Sequence, residues 1–135
     1  MTPKPELIEV SLTSINGAYV ESEGRTFIVI NKDLPQRERR CTLAHEMGHY
    51  HNSSLINHVE PRSEYERTLN QRVEHRANRW AAEHLIPQRD LEQYLDKHET
   101  AMAHDLADYF DVTEEVAAFR MELYRRQNDR IRLLP

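Results

Sequence analysis

Residues 42 to 51 read TLAHEMGHYH, with two histidines four apart and a glutamate directly after the first. On a helix, His45 and His49 lie one turn apart on the same face, so their imidazoles can hold one metal ion together. Glu46 sits about 100° round the helix from His45. It is off the ligand line, yet near enough to take a proton from a metal-bound water. Two imidazole ligands, an open position for water and a waiting carboxylate are the parts of metal-assisted hydrolysis. The chain holds 8 His and sixteen Glu, so the count of this five-residue pattern expected by chance is about 0.05. The motif alone is suggestive and needs a third group to be decisive.

Catalytic zinc usually takes a third protein ligand. A common local solution places a glycine three residues beyond the second His and another His three further on. Those positions are Asn52 and Leu55, so the ligand must come from a later element. The stretch VEHRANRWAAEHL offers Glu74, His75, Glu83 and His84. On a helical wheel Leu69, Val73, Ala77, Trp80, Ala81 and Leu85 form an apolar arc. Glu74 falls inside the edge of that arc, whereas His75 and Glu83 turn to the polar side. A carboxylate on a core-facing stripe is costly unless it is paired or metal-bound. Glu74 therefore asks for a cation, with an ion pair to Arg76 or Arg79 as its ordinary alternative and His75 as the competing ligand. Asn78, one turn beyond Glu74, can orient a ligand from behind. Gly48 costs roughly 1 kcal/mol of helix propensity and makes sense where a neighbour approaches the helix closely.

Other candidates have plainer readings. Cys41, one turn before His45, reads as a small buried thiol. His84 faces the apolar arc as a core histidine. Tyr50 and His51 either stabilise an oxyanion or simply pack beside the helix. His58 lies on a polar loop at the site's rim. His98 and His104 read as surface residues with no visible partner, and RERR at 37 to 40 as a solvated helix start.

The elements that must carry these groups follow from the pattern. ELIEVSL alternates, NG at 16 and 17 is a hairpin signal, and a second turn falls at Glu23-Gly24. TFIVIN at 26 to 31 is a continuous apolar, β-branched run. These predict a small antiparallel sheet of two or three strands. A helix over 38 to 51 follows, then a polar loop from 52 to 63. Ser63 with Glu66 forms a capping box that opens a long helix, stopped at Pro87. Pro87 begins a short helix to about Lys97. Another helix covers AMAHDLADYF, and Thr113 caps a last one, VAAFRMELYRR. The tail NDRIRLLP has no clear assignment. Leu43, Ala44 and Met47 can anchor the HExxH helix in the core. The reading is an α+β chain of 135 residues forming one domain over 1–135. Net charge is −5, which argues against direct nucleic-acid binding. One cysteine leaves no internal disulfide and fits a cytoplasmic setting. No secretory signal or membrane span is visible, so no membrane association is expected.

TFIVINKDLPQRERRCTLAHEMGHY, followed by EHRANRWAAEHLIP, resembles the ImmA/IrrE family of metallo-endopeptidases, and ADYFDVTEEVAAFRMELY is similar to the family's closing helices. The resemblance implies a helical zincin-like peptidase domain behind the sheet. It makes His45, His49 and Glu74 the zinc ligands (Mn²⁺ is the other metal considered) and Glu46 the general base. It also implies a protein substrate, typically a helix-turn-helix transcriptional regulator. The alternative is a toxin or regulatory protein that acts by binding such a partner, as in a toxin-antitoxin pair. A purely structural zinc site is weaker, because such sites are usually closed by four ligands rich in cysteine.

Overall fold

A computed structural model describes residues 4–52 and 63–133, with side chains as far as Asn128. Residues 53–62 of the expected rim loop, His58 included, lie outside the described residues. The described residues form three strands followed by five helices, an α+β arrangement. Backbone contacts divide the chain into two compact units, Met1–Ala81 and Ala82–Pro135.

The first unit starts with β1 (Glu6–Val10), β2 (Gly17–Ser22) and β3 (Arg25–Asn31). The β-branched run at 26 to 31 takes the central place, and the strand order is β1-β3-β2. β2 and β3 form the expected hairpin at Glu23-Gly24, both at positive φ, 51° and 75°. Positive φ at both central residues suits a tight hairpin turn. The sheet is mixed, however, and not wholly antiparallel. β1 pairs parallel to β3, with Ile8 beside Val29, so Asn16-Gly17 is no hairpin turn. The chain instead crosses from one edge of the sheet to the other. Gly17 serves packing there, since a Cβ would stand 2.7 Å from Thr42 Cγ2 and 3.0 Å from the Val29 carbonyl oxygen.

Thr26, Ile28 and Ile30 are the buried alternate residues of β3. Tyr19, Ile28 and Ile30 form a core cluster, and Leu43, Met47 and Tyr50 of α1 (Gln36–His51) pack against it. One side of α1 is thus fixed on the sheet, which frees the other side to carry polar groups. The helix that follows, α2 (Glu64–Leu85), opens with the Glu66 N–H donating to Ser63 Oγ at 3.2 Å, the capping half of the expected box. Its first turns are exposed, Leu69 among them. Leu69, expected on the apolar arc, is exposed, because the buried part of the helix begins only near Val73.

The second unit contains α3 (Gln88–Lys97), α4 (Ala103–Phe110) and α5 (Glu114–Leu133). Pro87 precedes α3 as its N-cap. The Val116 N–H donates to Thr113 Oγ1 at 3.3 Å, the cap expected for α5. The helix runs on to Leu133, into the stretch whose pattern has no clear assignment. Ile86, Leu91, Leu106 and Val112 are fully buried. So is Arg120, whose Nε donates to the Ile86 carbonyl at 2.7 Å and whose Nη2 donates to Gln88 Oε1 at 2.8 Å. No helix among the described residues is long and apolar enough to cross a membrane.

Candidate metal centre

Two helices of the first unit build the site. The Gly48 turn of α1 lies directly on α2. A Cβ at residue 48 would sit 2.5 Å from the Ala77 carbonyl oxygen and 3.0 Å from the Ala77 Cα. Both obstacles are backbone and cannot swing away, so only glycine permits this spacing. The close crossing brings His45 and His49 from one helix up to Glu74 from the other.

Three side chains converge there. His45 Nε2 and His49 Nε2 are 3.1 Å apart. Glu74 Oε2 is 2.9 Å from His45 Nε2, and Oε1 is 3.4 Å from His49 Nε2. Behind them, His45 Nδ1 donates to Asn78 Oδ1 at 2.6 Å. An amide oxygen only accepts, so the proton is on Nδ1, and the lone pair of the neutral ring is on Nε2, facing Glu74 and His49. This is the orienting contact foreseen for Asn78.

The electrostatics fit a cation. Burial by itself would lower the His45 pKa. The hydrogen bond and charge of Glu74, together with Glu46 and Asn78, outweigh it and raise the pKa above the ordinary value. Hydrogen bonds from His45 and His49 hold the Glu74 carboxyl down at about 2, against the partial burial that would raise it.

Whether these donors suit a metal is a matter of spacing. Tetrahedral zinc with bonds of about 2.0–2.2 Å sets its ligands roughly 3.3 Å apart. The observed separations of 2.9, 3.1 and 3.4 Å bracket that value. Among the described residues, His45, His49 and Glu74 form the group of donors whose atoms all lie within 4.8 Å of one another. Two imidazoles and one carboxylate are a familiar set for catalytic zinc.

The remaining candidates separate cleanly. Glu46 is buried, at 6% exposure, and His49 is too, while the Glu74 side chain is 41% exposed. The carboxylate expected on a core-facing stripe therefore sits at the rim of the site, open to an incoming ligand. His75 is exposed, and the arginine pairing considered for Glu74 gives way to the two histidines. His51 stacks on Trp80, with ring centroids 4.5 Å apart, and its other neighbour is Tyr50. That is the packing reading. His84 is exposed and not a core histidine, because the buried arc of α2 narrows to Ala81, Ala82 and Leu85 at that end. Cys41 is a buried free thiol. His98 and His104 do have partners: His98 Nδ1 donates to the Tyr94 carbonyl at 2.8 Å, and His104 lies 3.3 Å from Asp105. Sequence reasoning missed Asn52, whose side-chain amide donates to the Gly48 carbonyl at 2.7 Å. The signal available was its residue type, since an amide side chain can donate to the carbonyls left open at a helix end.

Residues 5–122 match the Peptidase_M78 family, described as the IrrE N-terminal-like domain. The chain belongs to this family. No curated protein matches it. Family membership supports a metallopeptidase-like function in general, with a protein substrate and a bound metal. His45, His49 and Glu74, converging from α1 and α2, are a group that could hold such a metal.

Proposed function

We propose that this protein is a zinc metallo-endopeptidase in which His45, His49 and Glu74 hold the ion and Glu46 is the general base. The observation that carries the reading is the convergence of His45 Nε2, His49 Nε2 and the Glu74 carboxylate at ligand spacing, inside a chain of a peptidase family. When bound, the ion supplies a Lewis acid for water and for the scissile carbonyl. Asn78 holds the His45 ring by its Nδ1 proton, which keeps Nε2 turned inward. Glu46 follows His45 directly and is close enough for its charge to act on that ring. Its carboxylate takes the proton of the attacking water and returns it to the leaving amine. Burial keeps Glu46 in water-poor surroundings, where its charge acts more strongly than in bulk water. The substrate we propose is a helix-turn-helix regulator or another regulatory protein in the cytoplasm, encoded beside this chain.

Glu46→Gln tests the mechanism. The variant should retain zinc and lose cleavage of the cognate regulator by at least about a hundredfold, the low end of what general-base catalysis contributes. Mass spectrometry of the regulator reads the cut. Full cleavage by the variant refutes the assignment of Glu46.

A further inference from the structure

The end of α1 carries a tie to α2 that the ligand set does not include. The Asn52 backbone N–H donates to the Gly48 carbonyl at 3.0 Å. Its side-chain Nδ2 donates to the same carbonyl at 2.7 Å and reaches the Arg76 carbonyl, on α2, at 3.5 Å. Arg76 directly precedes Ala77, the residue whose backbone lies against Gly48. One amide nitrogen therefore spans the two helices at their closest approach.

We infer that Asn52 is a positioning residue for the metal centre: its amide fixes the roll and spacing of α2 on α1 and so keeps Glu74 within ligand reach of His45 and His49. This rests on the metallopeptidase reading. The Gly48–Ala77 contact is a steric stop, which limits approach but does not prevent the helices from parting or rolling. The His51–Trp80 stack attracts, at a 4.5 Å centroid separation, but stacked rings slide without losing their contact. A hydrogen bond is directional and holds one orientation. Serving two carbonyls from one atom requires two N–H donors, which the asparagine amide has, aspartate lacks and leucine of similar bulk lacks. Arg76 is two residues from Glu74, about 3 Å along the helix axis, so a small roll there carries the carboxylate with it. Metal ligation tolerates displacements of only about 0.2 Å.

The test uses the full chain with Asn52→Leu and Asn52→Asp. Zinc affinity is measured by competition with a chromogenic chelator, and the coordination sphere by the visible spectrum of the cobalt-substituted protein. Both variants should bind zinc about tenfold more weakly or worse, with a cobalt spectrum altered by displacement of the Glu74 ligand. A residue that merely stabilises the helix end would lower the melting temperature and leave both readouts unchanged. Wild-type affinity and an unchanged spectrum in folded variants overturn the inference. If the leucine variant does not fold, the near-isosteric aspartate decides. A wild-type chain that takes up neither ion overturns the metallopeptidase reading and this inference together. Wild-type uptake with unaffected variants overturns the inference alone.

Discussion

The two units bury charge in opposite ways. In the first, Glu46 and His49 are buried and the His45–His49–Glu74 donors turn toward one point. In the second, the buried charge among the described residues is Arg120, which donates to the Ile86 carbonyl and to Gln88. A buried cation hydrogen-bonded to a backbone carbonyl ties segments of chain together. Buried or half-buried donors that all face one another leave their lone pairs for something else. Burial of a polar group therefore does not identify a site, but the direction of its donors and acceptors does.

The contrast can be broken at either end. His49→Ala should remove one of three ligands and weaken zinc binding by on the order of 3 kcal/mol, roughly a hundredfold or more. The ring is buried, so its loss should also cost the metal-free fold about 1–3 kcal/mol; chelator competition and a thermal melt read the two effects. Arg120→Met should show the second effect without the first. Loss of charged hydrogen bonds to Ile86 and Gln88 should destabilise the second unit by about 2–3 kcal/mol, with zinc affinity unchanged. If Arg120→Met lowers zinc affinity as strongly as His49→Ala does, the contrast fails. Gly48→Ala forces a methyl into the Ala77 backbone, an overpacking cost of about 1–3 kcal/mol set against roughly 1 kcal/mol of gained helix propensity. The net effect should be a small loss of stability and a clear loss of zinc affinity, both seen in zinc-dependent melts.

The smallest effect concerns pH in the metal-free protein. The folded Glu74 pKa is depressed to about 2, so its stabilising contribution is present above the unfolded value near 4.5 and is lost as pH falls toward 2. The folded His45 pKa is raised, so its contribution is present below about 6.5 and is lost as pH rises through the folded value. Melting temperature should crest weakly between those limits, because Glu74 is 41% exposed and solvent screens the pair. A profile without that crest would show the pair to be negligible before metal arrives.

Much of the site was legible because its rules are local. Four-residue spacing put His45 and His49 on one face, and wheel geometry selected Glu74 over His75 for the cluster and set Asn78 one turn beyond it, where it meets His45. Gly48 signalled a close neighbour before Ala77 was known to be it. The sheet was harder to read. Alternation marks a strand but says nothing about which neighbour it pairs with, so Asn16-Gly17 read as a turn where the chain in fact crosses to the far edge. Periodicity also misplaced two residues of α2: Leu69 lies before the buried stripe begins, and His84 is exposed between the buried Ala82 and Leu85 because the stripe there is too narrow to include it. Asn52 was missed because its second acceptor, the Arg76 carbonyl, lies 24 residues away in sequence.

The contact between His45 and Glu74 has one more consequence. It closes the chain between the two helices, so the entropy of bringing those distant residues together is met by protein contacts and the helix crossing. An ion that finds its donors already gathered would have little ordering left to impose. It would then stabilise the fold by mass action, by an amount that grows with its free concentration.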